Sequence, residues 1–355
     1  MLKTTDDLRI RSLHPLISPA ILIEEIPVSD NAASTITTAR KAAEHIINLK
    51  DDRLLVIVGP CSIHDVDAAL EYGERLKPLI KKHRDELCII MRVYFEKPRT
   101  TVGWKGLIND PYLDNSFKVN HGLKLARKLL LDLAEMGIPS GTEFLDTIIP
   151  QFISDLIAWG AIGARTTECQ LHRELASGLS MPVGFKNGTN GSIQIAIDAI
   201  LSAQHPHYFL SVTKHGIPAI VSTRGNDSCH VILRGSNTST NYGAVHILEV
   251  EQAQQAVHLN KRIMIDCSHG NSQKDHNKQP LVAHDIANQL RAGSHHIGGV
   301  MVESNLVEGK QALKAGVELV YGKSITDACI GWDETVEVLS ELAKAVRVRN
   351  KKGKK

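Results

Sequence analysis

From residue 54 onward the chain repeats one hydrophobic pattern: a short apolar run, then a polar or glycine-rich cluster, then a stretch with helical spacing. The apolar runs contain many β-branched residues and are too short for helices, so they are typical of buried strands. Strands that alternate with amphipathic helices favour a parallel sheet with helices packed against it. The runs are Leu54–Val58, Cys88–Met91, Ser140–Phe144, Ala161–Arg165, Pro182–Lys186, His230–Arg234, Ile263–Asp266 and Gly299–Glu303.

Residues 1–50 precede this repeat and are interpreted as an N-terminal extension. The apolar run Ala20–Ile23 is predicted to form a short strand. A helix is predicted over Asn31–Leu49, because Ser29 and Asp30 in front of it are good N-cap residues.

A second departure lies between the fifth and sixth predicted strands. The runs Tyr208–Thr213 and Ala219–Thr223 are joined by a segment too short for a crossover helix, which predicts an antiparallel β-hairpin at about 207–223. The rest of the repeat predicts an α/β fold, a (β/α)8 TIM barrel over residues 51–355 with an N-terminal extension and an inserted β-hairpin. An open doubly wound sheet is the alternative, but a Gly-x-Gly-x-x-Gly motif does not follow the first strand.

Composition narrows the class of protein. Hydrophobic residues make up 43% and charged residues 23% of the 355 residues, which is ordinary for a globular protein. The net charge of +2 gives no basic excess, so neither nucleic acid nor a membrane is expected as a partner. The basic block Arg347–Lys355 is interpreted as a frayed, solvated terminus. Scattered cysteines and early acidic residues predict a cytoplasmic protein without a signal peptide.

The ends of the predicted strands carry an unusual set of side chains. In a TIM barrel the carboxyl ends of the strands meet on one face, where functional sites are built. One charged residue at a strand end is explained by contact with solvent, but a charged or ligating residue at all eight ends favours a site. These residues are Cys61, Arg92, Glu143, Arg165, Lys186, Arg234, His269 and Glu303.

One part of this set is cationic and predicts an anion-binding site. Arg92, Arg165, Lys186 and Arg234 are joined by Lys97 and Arg99 from the segment after the second strand. Arginine and lysine bind phosphate and carboxylate oxygens, and six cations predict at least two anionic groups. Glu143 could orient these cations. The alternative is a solvated basic loop after Arg92, but the aromatic residues in that loop favour packing over a ligand.

The other part of the set predicts a metal site. A thiolate from Cys61, an imidazole from His269 and carboxylates from Glu303 and Asp327 suit Mn, Fe, Co or Zn better than Mg. Cys267 lies two residues before His269 and is an alternative source of the thiolate. A nucleophilic Ser-His-Asp arrangement would require an elbow motif, which the chain does not contain.

Six long motifs of the chain are distinctive: Val58–His64, Met91–Gly106, Gly163–Glu168, Gly184–Thr189, Asp266–Asn271 and Tyr321–Cys329. Together they resemble one family, the type I 3-deoxy-D-arabino-heptulosonate-7-phosphate (DAHP) synthases. The likeness extends from about residue 6 to the predicted C-terminal helix. The loop Arg234–Tyr242 departs from the pattern usual in that family, which makes its local geometry harder to predict.

The resemblance implies a metal-dependent condensation of phosphoenolpyruvate with erythrose 4-phosphate and water, giving DAHP and phosphate at the start of the shikimate pathway. It assigns the metal to Cys61, His269, Glu303 and Asp327, and proton delivery near the aldehyde to Lys97. The residues that it assigns to phosphoenolpyruvate are Arg92, Lys97, Glu143, Ala164, Arg165, Lys186 and Arg234. Those that it assigns to erythrose 4-phosphate are Lys97, Pro98, Arg99 and Thr100.

The extension and the hairpin resemble the feedback apparatus of this family, most like its phenylalanine-sensitive branch. Members selective for tyrosine tend to have glycine at the position of Ser211. The resemblance also implies a homodimer or homotetramer, with the extension in regulation or assembly. The residues expected around phenylalanine are Asp6, Asp7, Gln151, Leu175, Leu179, Ser180, Phe209, Ser211 and Val221.

Two other functions are compatible with these features. One is another phosphoenolpyruvate-condensing barrel, such as an octulosonate 8-phosphate synthase, which uses a five-carbon sugar phosphate and lacks the hairpin. The other is a catalytically silent barrel that binds phosphorylated metabolites. A silent barrel would typically have lost a cation or a metal ligand, whereas this chain retains the whole set.

Overall fold

The structure of the protein, a computed structural model, describes residues 5–314 and 316–352. The helices are Pro19–Glu25 (α1), Asp30–Ile47 (α2), Val66–Lys82 (α3), Val119–Glu135 (α4), Pro150–Ile153 (α5), Gln170–Gly178 (α6), Gln194–Ala203 (α7), Ala244–Ala256 (α8), Gln279–Ala292 (α9) and Trp332–Lys352 (α10). The strands are Leu54–Gly59 (β1), Leu87–Arg92 (β2), Ser140–Glu143 (β3), Trp159–Ile162 (β4), Val183–Lys186 (β5), Tyr208–Val212 (β6), Pro218–Ser222 (β7), His230–Leu233 (β8), Ile263–Asp266 (β9), Ile297–Glu303 (β10), Val307–Lys310 (β11) and Lys323–Ser324 (β12).

Eight strands close a parallel barrel in the order β1-β2-β3-β4-β5-β8-β9-β10, and β10 pairs with β1 to complete it. Every residue of these strands is buried, as expected for strands covered by helices outside and packed side chains inside. The predicted TIM barrel and its eight strands are confirmed. The fourth strand lies two residues earlier than predicted, because the amides of Thr166 and Thr167 turn back to the carbonyl of Gly163.

The extension is helical, so the prediction of a strand over Ala20–Ile23 is wrong. The Ser18 hydroxyl accepts a hydrogen bond from the Ile21 amide, and Pro19 occupies the first turn, which together start helix α1. The helix predicted over Asn31–Leu49 is confirmed as α2, with Ser29 as its N-cap. The apolar face of α2 joins the same hydrophobic core as the barrel strands.

The predicted antiparallel hairpin is confirmed as β6 and β7, with Phe209 opposite Val221 and Ser211 opposite Ala219. Its turn accepts a hydrogen bond at the Lys214 carbonyl from the Ala20 amide at the start of α1. The hairpin therefore rests against the extension at its turn. Among the helices in the described residues, none has the length and apolar character needed to cross a membrane.

The C-terminal segment is not a solvated tail as far as the structure describes it, so that prediction is wrong. Helix α10 continues to Lys352, and the side chain of Arg349 is completely buried. The Arg349 guanidinium donates to the carbonyls of Asp52, Ser294 and Ile297. These carbonyls supply acceptors for the guanidinium, which allows an arginine to be buried there. Residues 353–355 lie outside the described residues.

Candidate active site

A cavity of about 230 Å³ opens at the carboxyl ends of the barrel strands. The loops that follow the eight strands converge there, so residues far apart in the chain share one space. Cys61 is buried beneath this cavity, and Thr100 is exposed on the loop beside it. The predicted residues that line the cavity are Arg92, Lys97, Pro98, Arg99, Glu143, Ala164, Arg165, Lys186, Arg234, His269, Glu303 and Asp327.

The predicted metal ligands come together on one side of the cavity. The Cys61 sulfur and carboxylate oxygens of Glu303 and Asp327 all lie within 4.8 Å of one another. The His269 Nε2 atom lies 4.0 Å from Glu303 Oε1. A thiol, an imidazole and two carboxylates form a donor set that suits a borderline divalent cation. Among the described residues, this group includes Cys61 rather than the alternative Cys267.

The electrostatics of Cys61 also fit a cation. Burial and, to a smaller extent, the nearby Glu303 carboxylate raise the pKa of the Cys61 thiol to about 11. Burial alone would lower the pKa of Lys97, but Cys61 and Glu303 raise it above its ordinary value, so Lys97 is a cation. Its Nζ atom lies 3.0 Å from the Cys61 sulfur. A divalent ion beside Glu303 and Asp327 would stabilise the thiolate that these carboxylates otherwise disfavour.

Arg92 connects the metal-ligand group to the cation cluster. Its guanidinium is buried and donates to the carbonyls of Pro60 and Cys61, each at 3.1 Å, and to Glu303 Oε1 at 3.0 Å. It also lies 3.5 Å above the ring of Tyr94. These contacts fix the guanidinium in one orientation at the floor of the cavity.

Three further predicted cations at the strand ends also line the cavity. Arg234 and Lys186 are buried, whereas Arg165 is exposed. The Nη1 atom of Arg234 is buried and has no hydrogen-bond partner among the described residues. A buried guanidinium donor without an acceptor is costly, so this part of the cavity is suited to an anionic ligand that supplies oxygen atoms.

The Glu143 carboxylate lies so close to the backbone of Gly163, in the next barrel loop, that a side chain would not fit at that position. A Cβ atom added at Gly163 would lie 2.4 Å from Glu143 Oε1. The glycine therefore leaves the room that the Glu143 carboxylate occupies at the cavity wall.

Some residues that line the cavity are not among those predicted from the sequence. Lys310 belongs to β11, a short strand that the hydrophobic pattern did not indicate. Thr189 and Asn237 each follow a predicted strand end by three residues, and the Asn237 amide donates to the Thr189 carbonyl. This position, three residues after a predicted strand end, is the sequence feature by which Thr189 and Asn237 could have been identified. The missed residues are Gly163, Thr166, Thr189, Asn237, Ser268, Ser272, Lys274, His276, Lys310 and Ala328.

The loop after Arg234, which departs from the usual family pattern, is held by its own polar side chains. The Ser236 hydroxyl accepts hydrogen bonds from the amides of Thr238 and Ser239. The Asn241 side chain accepts from the Gly235 amide. The loop is thereby closed on itself at the edge of the cavity.

The family model of the DAHP synthetase I family matches residues 25–340 of this chain. The chain belongs to this family. The Phe-sensitive phospho-2-dehydro-3-deoxyheptonate aldolase of Escherichia coli strain K12 is 58% identical over 97% of this chain and 98% of its own length. The Trp-sensitive aldolase of Enterobacter agglomerans is 54% identical over 97% of this chain and 99% of its own. The aldolase structure from Francisella tularensis SCHU S4 has a TM-score of 0.94, with 54% identity, covering 96% of this chain and 99% of that one.

As a DAHP synthase family member, the chain is an enzyme.

The residues predicted to bind the effector lie on several elements of the fold. Phe209, Ser211 and Val221 are half-buried on one face of the hairpin, while the residues between them are exposed. The Lys214 ammonium donates to the Gln151 carbonyl of α5.

Helix α6 lies on another side of the hairpin. The Thr223 hydroxyl, directly after β7, contacts the Ser177 hydroxyl of α6 at 2.7 Å. Leu175 of α6 is buried, and Leu179 and Ser180 follow at its C-terminal end. The hairpin, α5 and α6 therefore come together. Asp6 and Asp7 lie on the exposed N-terminal arm, where the Asp7 amide donates to the Asp6 carboxylate.

Proposed function

We propose that this enzyme condenses phosphoenolpyruvate with erythrose 4-phosphate and water to give DAHP and phosphate. The observation that carries this proposal is the meeting of six cations with a thiol, imidazole and carboxylate group in one cavity of a DAHP synthase family member. The two substrates carry two phosphates and one carboxylate, and these anions match the six predicted cations of the cavity, whose lining also includes Lys274 and Lys310. The sugar phosphate aldehyde then meets the enol of phosphoenolpyruvate within a single enclosed space.

In this reaction, carbon 3 of phosphoenolpyruvate bonds to the aldehyde carbon as the carbonyl π electrons move to the aldehyde oxygen, and the oxygen of water bonds to carbon 2. The bond from carbon 2 to the phosphate oxygen breaks, inorganic phosphate leaves, and carbon 2 becomes a ketone. Of the two protons that water loses, one goes to the phosphate and the other replaces the proton delivered by Lys97. Lys97 delivers a proton to the former aldehyde oxygen, a role favoured by its position against the Cys61 sulfur. Arg92, Lys186 and Arg234 hold the phosphate and carboxylate of phosphoenolpyruvate and stabilise the negative charge that moves between them.

Cys61, His269, Glu303 and Asp327 are proposed to hold a divalent metal, either Mn, Fe, Co or Zn. A bound divalent ion supplies Lewis-acid polarisation of a carbonyl oxygen. The donor set of thiol, imidazole and carboxylates supports these metals over Mg.

The test is turnover of phosphoenolpyruvate by metal-free protein, with and without added Mn²⁺. Phosphate release with erythrose 4-phosphate, but not with arabinose 5-phosphate, is the expected result. The Cys61→Ala variant should lose at least about 100-fold in kcat/KM and bind Mn²⁺ more weakly, because one ligand is gone. Turnover that survives both chelation and Cys61→Ala would contradict the metal proposal. Turnover of the five-carbon sugar alone would favour an octulosonate 8-phosphate synthase.

We propose phenylalanine as the feedback inhibitor, bound at the hairpin face beside α5 and α6. Support comes from the Phe-sensitive relative and from Ser211, whose hydroxyl occupies room that glycine would leave free for a phenol. The Trp-sensitive relative is nearly as similar overall, so the effector depends on a few pocket residues.

We also propose a homodimer or homotetramer. Support comes from the outer face of the hairpin, where Tyr208, Leu210 and Ile220 are 74%, 81% and 74% exposed. Exposed apolar residues in a row favour a contact with another subunit. Light scattering measures the assembly directly, and Leu210→Asp should reduce its mass. The cytoplasmic location stays a prediction.

A further inference from the structure

Asp266 is a buried carboxylate that lies between the two functional groups of the cavity. It is the last residue of β9 and is completely inaccessible to solvent. Its Oδ2 atom lies 3.1 Å from Lys186 Nζ in the cation cluster and 2.8 Å from His269 Nδ1 in the metal-ligand group. Oδ2 accepts no hydrogen bond of ordinary geometry from the described residues, so the contact with Lys186 is an ion pair and the contact with His269 is a close approach of the two side chains.

The other oxygen of Asp266 acts through Ser268. Oδ1 accepts hydrogen bonds from the Ser268 amide at 2.9 Å and from the Ser268 hydroxyl at 2.6 Å. The Ser268 oxygen in turn lies 2.7 Å from His269 Nδ1. Because the hydroxyl has one proton and donates it to Asp266, its oxygen accepts from His269 Nδ1–H. The neutral imidazole then carries its lone pair on Nε2, the atom that faces Glu303.

We propose that Asp266 is a positioning residue that serves both halves of the site. Through Ser268 it selects the His269 tautomer that can bind a metal, and by direct contact it holds the Lys186 ammonium in place for the anionic substrate. The metal and phosphoenolpyruvate are thus bound by side chains that share one buried counter-ion. This inference rests on the proposed function, since it assumes those two ligands.

Asp266→Asn tests the proposal because the amide has nearly the same shape and no charge. Removing an outer partner of a metal-binding histidine lowers metal affinity by about 10–100-fold, and this is the expected fall in Co²⁺ affinity. The visible spectrum of the Co²⁺ complex should shift, which a role in folding alone would not cause. In metal-free protein, phosphoenolpyruvate affinity should fall about tenfold, because Lys186 loses the carboxylate contact that fixes the position of its ammonium group.

Ser268→Ala separates the two roles. It removes the hydroxyl between Asp266 and His269 but leaves the carboxylate beside Lys186. Co²⁺ affinity should fall, while phosphoenolpyruvate affinity of the metal-free protein should stay within about twofold of wild type. This variant also decides the case if Asp266→Asn does not fold: unchanged Co²⁺ affinity in Ser268→Ala would overturn the proposal.

Glu86→Gln is the matched control. Glu86 pairs with Arg347 at 2.8 Å and immediately precedes β2, at the end of the barrel opposite the cavity. Its loss should leave both affinities unchanged. The proposal would be overturned if the Asp266→Asn protein unfolds cooperatively and still binds either Co²⁺ or phosphoenolpyruvate with wild-type affinity. Because these are binding measurements, that result differs from failure of wild-type turnover, which would count against the proposed function instead.

Discussion

At the scale of single residues, burial decides which charges need partners and which groups stay neutral. Arg92 is buried and fully supplied with acceptors by Pro60, Cys61 and Glu303, so it can be a permanent cation. Arg234 keeps a donor atom without a partner among the described residues and faces the cavity. The first arrangement anchors the site, and the second leaves a place for a ligand.

His230 shows the opposite case of a buried group that stays neutral. Its ring is 1% exposed and accepts a hydrogen bond from the Trp159 indole at 3.3 Å. Burial lowers the pKa of His230 to about 3. Because this folded-state pKa lies below the ordinary value of 6.5, the neutral ring stabilises the fold above about pH 6.5. That stabilisation is lost at about 1.4 kcal/mol per pH unit as the pH falls toward 3.

We therefore expect His230→Gln to reduce the loss of stability on acidification. Between about pH 7 and pH 5, the free energy of unfolding of the variant should fall by roughly 2 kcal/mol less than that of wild type. Urea unfolding at both pH values measures this difference. His205→Gln, at an exposed position, is the control and should follow wild type. Parallel curves for His230→Gln and wild type would mean that the buried ring does not contribute.

At the scale of elements, local pattern and tertiary contact contribute differently. The hairpin could be predicted from its own sequence. In the structure, exposed and half-buried residues alternate along most of β6 and all of β7, which matches the two-residue period of a strand. The run Ala20–Ile23 has strand-like composition, yet a Ser cap and a proline at the first turn make it helical. A short apolar run is ambiguous until its flanking residues are considered.

The hairpin face predicts how effector selectivity can be changed. Ser211→Gly should increase inhibition by tyrosine relative to phenylalanine by about tenfold, since loss of the hydroxymethyl group leaves room for a phenol hydroxyl. Inhibition curves with phenylalanine, tyrosine and tryptophan measure the change. Ser222→Gly makes the same substitution on the exposed face of β7 and should leave selectivity unaltered. If tryptophan or tyrosine inhibits the wild-type enzyme first, the choice of phenylalanine is wrong.

At the scale of the whole molecule, the two ends of the barrel have different tasks. The carboxyl end holds the cavity, and the opposite end is closed in part by Arg349 of helix α10. That one side chain joins Asp52 to the segment Ser294–Ile297, which lies far from Asp52 in the chain. Because Arg349 lies away from the cavity, we expect it to contribute to the stability of the fold and not to catalysis.

Arg349→Leu should therefore lower stability and leave catalysis unchanged. Three carbonyls lose their donor, so the free energy of unfolding should fall by about 3 kcal/mol, measured by chemical denaturation. KM for phosphoenolpyruvate should match wild type. Arg347→Leu is the matched control, because Arg347 is 57% exposed in its ion pair and should cost less than about 1 kcal/mol. Equal losses in the two variants would show that burial of Arg349 does not matter.

The sequence by itself determined the barrel, the hairpin and the strand-end residues that meet in the cavity, because hydrophobic periodicity and chain order decide which ends of parallel strands converge. Tertiary structure alone decided that Arg349 is buried, that Lys310 and His276 reach the cavity, and that Asp266 contacts Lys186 and His269 together. Apart from the contact between Asp266 and His269, which are three residues apart, these contacts join residues that are distant in the chain, and their burial depends on what packs over them. A one-dimensional pattern contains no information on either property.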